Sequence, residues 1–189
     1  LKKVLSIVWY KVLPPVFDGQ KGIARFNQHL GWQTPLVCLC SNDNEPSGQI
    51  PYKVIAELPA GKGQFINPTC WNTISKVAKD NQITHIILEH PFHGIGAIKA
   101  KNATGAKLII HSHSIESKRF HLTGRHGWRI LKSYEKWVHR KADLSLFKTE
   151  QDRDYAIKNF GLATDKCMIV PYGIELPKPI DKETTLRFI

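Results

Sequence analysis

The chain has 189 residues, 42% of them hydrophobic, which is enough for one well-buried core and too few for two ordinary domains. Its 27 Lys and Arg residues exceed its 16 Asp and Glu residues, and the formal net charge of +11 favours nucleic acid, phosphorylated small molecules or an anionic membrane surface as partners. The four cysteines form neither a CxxC pair nor a disulfide framework, and no uncharged apolar stretch approaches the length of a membrane span. We therefore expect a cytoplasmic protein rather than a disulfide-stapled or membrane-spanning one.

Strand-like and helix-like runs alternate along the sequence, which predicts βαβ units and hence an α/β fold with a parallel sheet and helices on both faces. The predicted strands cover residues 3–9, 35–41, 52–57, 85–90, 107–111, 144–148 and 168–171. The predicted helices cover residues 21–30, 67–81, 92–103, 124–142 and 151–160. We interpret residues 1–173 as one domain, residues 174–184 as an interdomain linker, and residues 185–189 as the start of a truncated second domain.

A glycine-containing segment follows the first predicted strand and leads into a predicted helix. Its candidate ligand-binding residues are Gly19, Gln20, Lys21 and Gly22. Glycine lets backbone N–H groups approach an anion closely, and the dipole of the following helix favours negative charge there. The spacing matches neither GxGxxG nor a P-loop, so an ordinary tight turn is the alternative interpretation.

Two clusters of polar residues follow predicted buried strands, at the carboxyl ends where open α/β sheets build their sites. The stronger cluster contains His111, His113, Glu116 and Arg119. It combines titratable groups, a carboxylate and a guanidinium, although a solvated loop would have the same composition. The second cluster, residues 89–94, contains His90 and His93, which are substrate contacts or loop residues.

Basic residues recur at helical spacing within the predicted helix 124–142. They are Arg125, Arg129, Lys132, Lys136 and Arg140. Spacings of three and four residues place them in one stripe, which can lie against anionic lipid headgroups or polyphosphate. The alternative is that the stripe is only the solvated side of an amphipathic helix.

Five motifs follow one another along the chain. They are the glycine segment Asp18 to Gly22, the segment His113-Ser114-Ile115-Glu116 with Arg119-Phe120, the segment Tyr134-Glu135-Lys136-Trp137 leading to Lys141-Ala142-Asp143, the segment Phe147-Lys148-Thr149-Glu150, and the segment Val170-Pro171-Tyr172-Gly173-Ile174-Glu175. In this order they resemble the N-terminal domain of GT-B glycosyltransferases of family 4, a large retaining family that includes mannosyl- and glucosyltransferases.

The resemblance implies a Rossmann-like acceptor-side domain that faces a second domain, which holds most of a nucleotide-sugar donor. It implies transfer to a glycan or lipid-linked acceptor, with cell-envelope polysaccharide as the expected product class, and neither a metal nor a cofactor besides the nucleotide sugar. Carried onto this sequence, the histidine beside the reacting sugar is His113, with Glu116 and Arg119 as its neighbours, and the glycine segment approaches the donor. Because His111 precedes His113 by two residues and strand alternation aims both the same way, either one is a candidate for the reacting centre.

Two other classes of function remain open at this point. The net charge and the aromatic residues Trp128 and Trp137 among basic ones suit a nucleic-acid-binding module, but the sequence contains no helix-turn-helix, zinc-finger, RRM or KH pattern, so we expect no nucleic-acid partner. A domain can also keep this fold without catalysis and serve as an interaction module. For the basic stripe we expect a peripheral contact with the inner face of the membrane.

Overall fold

The computed structural model describes residues 2–173, so the predicted linker and the predicted start of a second domain lie outside the described residues. The strands are β1 (Val4–Val8), β2 (Leu36–Ser41), β3 (Lys53–Leu58), β4 (His85–Glu89), β5 (Lys107–Ser112), β6 (Leu144–Phe147) and β7 (Cys167–Ile169). The α-helices are α1 (Asp18–Gln33), α2 (Pro68–Asp80), α3 (Gly94–Thr104), α4 (Glu116–Leu122), α5 (Trp128–Lys141) and α6 (Glu150–Tyr155), which a π-helical turn (Ala156–Phe160) continues. None of these helices is long and apolar enough to cross a membrane.

The strands form one parallel sheet in the order β3-β2-β1-β4-β5-β6-β7. The sheet grows in one direction from β1 to β3 and in the other from β4 to β7, so β1 and β4 meet at a topological switch point. In open α/β sheets such a point opens a crevice at the carboxyl ends of the strands, where ligands bind. The predicted α/β fold with a parallel, Rossmann-like sheet is confirmed.

The two faces of the sheet are covered by different helices. Leu5 of β1 packs on one face with Ile74 of α2 and Ala97 of α3, whereas Val8 packs on the opposite face with Ile23 of α1. Because side chains alternate along a strand, β1 is buried on both faces. This double burial explains why the strands read as continuous apolar runs in the sequence.

Helix α1 begins at Asp18, three residues earlier than predicted. Gln20 accounts for the early start, because its Oε1 accepts hydrogen bonds from the backbone N–H groups of Val16 (2.7 Å) and Phe17 (3.3 Å). Its Nε2 donates to the backbone carbonyl of Lys11 (2.8 Å) and so ties the preceding loop to the first helical turn. The alternative interpretation of the glycine segment as an ordinary tight turn is therefore wrong, since that segment already forms the beginning of the helix.

The predicted helix over residues 124–142 is also wrong in its first part. The sequence did not predict α4, and α5 begins only at Trp128. Gly124 and Gly127, which lie between the two helices, have φ angles of 66° and 81°. This left-handed backbone interrupts a right-handed helix. Arg125 consequently lies in the turn, outside the basic stripe of α5.

Candidate functional site

The carboxyl ends of β4 and β5 bring three imidazoles and two carboxylates together. They belong to Glu89, His90, His111, His113 and Glu116. The ring of His113 lies between the other two imidazoles, with centroid distances of 4.6 Å to His90 and 4.5 Å to His111. These residues lie in two sequence segments, 89–90 and 111–116, and the pairing of β4 with β5 brings the two segments together.

The buried carboxylate of Glu89 holds two of the imidazoles. Its Oε2 lies 2.9 Å from Nδ1 of His111 and 2.6 Å from Nε2 of His113. Burial alone would raise the pKa of Glu89, but the charge of His111 and the hydrogen bonds from both imidazoles outweigh it and hold this pKa well below its usual range. Glu89 is therefore ionised at neutral pH and accepts both hydrogen bonds.

His113 lies nearer to the protein surface than His111. The side chain of His111 is completely buried, and its ring packs against Phe26 of α1 at a centroid distance of 4.5 Å. The side chain of His113 is 7% exposed, and its Nδ1 lies 2.9 Å from the hydroxyl oxygen of Tyr172. Burial lowers the pKa of His113, and the hydrogen bond to Glu89 offsets this only in part, so the imidazole is neutral at pH 7.

Glu116, one of the two predicted neighbours of His113, contacts a different histidine, and Arg119 contacts Glu116. Glu116 accepts a hydrogen bond from Nδ1 of His90 at 3.1 Å, and it also pairs with the guanidinium of Arg119. Burial raises the pKa of Glu116, but His90 and Arg119 lower it further, so the net shift is downward. Glu116 and His90 thus form a second carboxylate–imidazole pair, which stacks beside the first through the rings of His90 and His113.

Glu135 of α5 fixes the loop that carries this second pair. Its carboxyl group accepts hydrogen bonds from the backbone N–H groups of Glu116 (2.8 Å) and Ser117 (3.0 Å) and from the hydroxyl of Ser117 (2.6 Å). Helix α4 is thus capped by a side chain from another helix. Burial raises the pKa of Glu135 to about 7 despite these donors. The sequence places Glu135 in a motif but does not predict this role, because no pattern in the neighbouring residues indicates that its side chain reaches back to α4.

The beginning of α1 lies across the crevice from the imidazoles. A cavity of about 490 Å³ there is lined by Asp18, Lys21, Gly22, Arg25, Phe26, His29, Lys148, Val170, Pro171, Tyr172 and Gly173. Three of these side chains are cationic and one is a carboxylate, which suits an anionic ligand. Burial lowers the pKa of Lys148, and Glu89 offsets this in part. Gln20 lies outside the cavity lining, and its buried side chain holds the start of the helix.

Tyr172 joins the cavity to the imidazole cluster. Its ring lies directly on Gly22, where an added Cβ atom would come within 2.8 Å of a ring carbon. Its face receives the ammonium group of Lys148, 4.4 Å from the ring centroid, and its hydroxyl reaches His113. Gly22 therefore provides room for an aromatic ring, a role that the sequence pattern did not reveal.

One group of described residues has the composition of a metal site, namely Glu89, His111 and His113. The separations of 2.6 and 2.9 Å between their oxygen and nitrogen atoms are hydrogen-bond lengths. Ligands of a tetrahedral zinc ion, each 2.0–2.1 Å from the metal, lie roughly 3.3 Å apart. Both imidazoles are thus hydrogen-bonded to the carboxylate, and a cation would have to displace the imidazole hydrogens and move the three side chains apart.

The fold resembles that of solved proteins that include a glycosyltransferase and a UDP-N-acetylglucosamine 2-epimerase. HepE from Anabaena, solved in complex with UDP and glucose, superposes with a TM-score of 0.64 at 13% identity, over 93% of this chain and 45% of its own. A glycosyltransferase from Rickettsia africae ESF-5 gives 0.59 at 12% identity, over 99% and 48% of the two chains. A UDP-N-acetylglucosamine 2-epimerase from Rickettsia bellii gives 0.59 at 12% identity, over 90% and 45%. The chain thus spans about half the length of these proteins.

The structural similarity establishes the fold, which is that of the N-terminal half of GT-B glycosyltransferases, and the epimerase shows that this fold also serves another reaction. No curated protein matches the chain in sequence. The model of the family described as Glycosyltransferase Family 4 matches residues 23–178, which include His113, Glu116 and Tyr172. The chain therefore belongs to glycosyltransferase family 4.

Proposed function

We propose that this chain is the acceptor-side domain of a retaining glycosyltransferase that transfers a sugar from a nucleotide-sugar donor to a glycan or lipid-linked acceptor. The observation that carries the proposal is the junction at Tyr172, where the cationic cavity beside α1 meets the imidazole of His113. A nucleotide sugar has the same two parts, an anionic diphosphate and a neutral sugar. The UDP and glucose bound to HepE, which has this fold, support the same class of donor.

The charges of the site suit the bond that must break. When a sugar leaves its diphosphate, negative charge grows on the diphosphate and positive charge grows on the sugar ring. Lys21, Arg25 and Lys148 line the cavity, and the dipole of α1, whose N-terminal turn borders the cavity, adds to their attraction for an anion. Glu89 and Glu116 lie on the opposite side, behind the imidazoles of His90 and His113. We propose that this division of charge serves in place of a metal or a further cofactor.

An apolar border on the other side of the imidazoles suits the acceptor. The rings of Trp9, Phe65 and Phe92 pack against one another at centroid distances of 5.0–5.3 Å. Phe17, which precedes α1, and Ile66, which follows Phe65 in the chain, are 57% and 79% exposed. Sugar rings and lipid chains both pack favourably on such surfaces. We therefore propose that a glycan or lipid-linked acceptor of cell-envelope polysaccharide synthesis approaches from this side.

The remaining nucleotide contacts are proposed to come from a second domain beyond the linker of residues 174–184. The 189-residue chain should then fold without turning over substrate, because this half supplies only one side of the donor site. Sugar transfer by the purified 189-residue chain, free of any longer form, would contradict the proposal that a second domain is needed for activity.

The decisive activity experiment compares two histidine variants in the intact protein with a panel of nucleotide sugars. If His113 supports the transition state, His113→Ala should lower kcat by roughly 10²-fold, or about 2.7 kcal/mol, with little change in melting temperature. His111→Ala should instead lower the melting temperature, because His111 is buried. Near-normal kcat in the first variant with a collapse in the second would move the reacting centre to His111.

Product analysis in the same experiment separates the rival functions. An epimerised nucleotide sugar in place of a glycosylated acceptor would show that the protein is an epimerase, like the Rickettsia bellii protein with this fold. No turnover with any donor, together with retained folding, would identify a non-catalytic interaction module. Binding of single- or double-stranded nucleic acid at physiological salt would support the nucleic-acid alternative.

The surface of α4 and α5 is proposed to bring the enzyme to the inner face of a membrane. Leu122 of α4 and Ile130 of α5 are 77% and 78% exposed, and α5 also carries the basic residues Arg129, Lys132 and Lys136. Exposed apolar side chains among cations are typical of surfaces that lie on anionic lipid. The protein would then be cytoplasmic and peripherally bound.

Two triple variants with the same change in net charge test this proposal. The first replaces Arg129, Lys132 and Lys136 with Gln, and the control replaces Lys53, Lys79 and Lys158 with Gln. The first should reduce sedimentation with anionic vesicles more than the control, and most at low salt, because exposed charges are screened over about 10 Å at 0.1 M. Equal losses would show attraction by net charge alone, and no loss would make the stripe a solvated face.

A further inference from the structure

Glu89 links the imidazoles of His111 and His113, and its place in the sheet makes this link rigid. The parallel register sets Glu89 of β4 opposite His111 of β5. His113 follows His111 by two residues and points the same way. Both rings are hydrogen-bonded to the buried carboxylate of Glu89, His111 through Oε1 and His113 through Oε2. His111 is itself packed under Phe26 of α1, so three elements of the fold fix the position of the carboxylate.

The hydrogen bonds determine which nitrogen of His113 carries a hydrogen. An ionised carboxylate only accepts hydrogen bonds, so Nε2 of His113 must donate to Glu89. The neutral imidazole has one ring hydrogen, and Nδ1 is therefore bare. The hydroxyl of Tyr172 donates to this nitrogen at 2.9 Å. Burial and the charge of Glu89 raise the pKa of Tyr172, so its hydroxyl keeps the hydrogen that it donates.

We propose that Glu89 is a positioning residue, which holds His113 in the Nε2–H tautomer and so presents Nδ1 as an acceptor for a hydroxyl group of the bound sugar. In this structure the Tyr172 hydroxyl takes the place of that sugar hydroxyl. The role rests on the proposed function in one respect, namely that His113 faces the sugar. The tautomer itself follows from the geometry of the chain.

Glu89 is the contact of His113 that discriminates between the two tautomers. A tyrosine hydroxyl can donate or accept, so Tyr172 would bond to Nδ1 in either tautomer. A carboxylate cannot donate, so only Nε2–H satisfies it. With Nδ1 bare, His113 accepts from sugar hydroxyls, whereas the other tautomer would offer a hydrogen there. Loss of Glu89 should therefore change what His113 can recognise, in addition to loosening its position.

The first test observes the imidazole nitrogens directly, by ¹⁵N NMR of the 189-residue chain at pH 7.5. The resonances of His113 should show a hydrogen on Nε2 and a bare Nδ1. Glu89→Met, which removes the acceptor but keeps the length of the side chain, should give a mixture of tautomers. Glu89→Gln, which keeps an oxygen acceptor, should restore the original pattern in large part. The matched control is Glu116→Gln, which removes another buried carboxylate and should alter His90 but leave the tautomer of His113 unchanged.

A hydrogen on Nδ1 of His113 in the unaltered chain, or an unchanged His113 pattern in Glu89→Met while the rest of the spectrum shows a folded protein, would overturn the proposal.

Kinetics of the intact protein supply the second test. Glu89→Met should lower kcat about 10-fold or more, and Glu89→Gln should lower it less, at similar melting temperatures. If the tautomer responds to Glu89 while neither His113→Ala nor Glu89→Met changes kcat, His113 does not act at the reacting centre, and only the control of its tautomer by Glu89 is upheld. If His113→Ala alone lowers kcat, His113 acts without positioning by Glu89.

Discussion

The buried imidazole of His139 makes a sharp prediction about acid stability. Its ring stacks on Phe147 at a centroid distance of 5.6 Å, and its Nδ1 lies 2.8 Å from the hydroxyl of Ser145. Burial lowers the pKa of His139 to about 3. The folded protein therefore resists protonation of this ring, whereas the unfolded chain takes up the proton near pH 6.5. The stability that depends on neutral His139 is complete above pH 6.5 and is lost as the pH falls toward 3.

The magnitude follows from the two pKa values. Between pH 7 and pH 5 the unfolded state gains most of a proton that the folded state does not bind, which costs about 2 kcal/mol of unfolding free energy. This is a large part of a total that is typically 5–15 kcal/mol. His139→Phe should remove this loss, because a phenyl ring fits the same stack and does not titrate.

The assay is urea denaturation of the wild type and of His139→Phe at pH 7 and pH 5. The loss of unfolding free energy on acidification should be about 2 kcal/mol smaller in the variant. The cost of leaving Ser145 without its partner applies at both pH values and cancels in this comparison. Replacing the exposed His126 with Gln is the control, and it should leave the acid loss unchanged. Equal acid losses in wild type and His139→Phe would refute the reasoning.

Three further changes have defined outcomes. Glu135, whose pKa is raised to about 7, contributes stability that is fully present below pH 4.5 and is lost as the pH rises through 7. Glu135→Gln removes this contribution, so the loss of unfolding free energy between pH 7 and pH 5 should be about 2 kcal/mol larger in the same urea assay. An unchanged loss would contradict the argument that burial raises this pKa. Gly22→Ala should push the ring of Tyr172 away and break its bond to His113, which the imidazole ¹⁵N resonances of His113 would report; an unaltered spectrum would show that the ring can shift at no cost. Asn44→Ala removes a buried amide that bonds the backbone after β1 to that after β2, and urea denaturation should show a loss of about 2–4 kcal/mol; a loss below about 1 kcal/mol would mean that water replaces the amide.

The sequence could predict the sheet because strands such as β1 and β2 are buried on both faces. A strand such as β5 then reads as an apolar run whatever its neighbours are, and the alternation with helices requires parallel crossovers. The sequence could also predict the position of the polar cluster, because the residues after a parallel strand lie at the carboxyl edge of the sheet. Helix starts were less predictable. The beginning of α1 depends on bonds from Gln20 to Lys11, nine residues away, and no local propensity contains that information.

The sequence by itself determined the fold class, the family and the presence of His113, Glu116 and Arg119 at one edge of the sheet. Only the tertiary structure decided which groups bond to one another. Glu89 meets His113 across 24 residues, Glu135 reaches Glu116 across 19, and Tyr172 reaches His113 across 59. Such partners are chosen by strand register and by the packing of helices onto the sheet, which depend on the whole core at once. Local patterns fix which side chains are available, whereas the assembled core fixes the distances between them, and the protonation of the site follows from those distances.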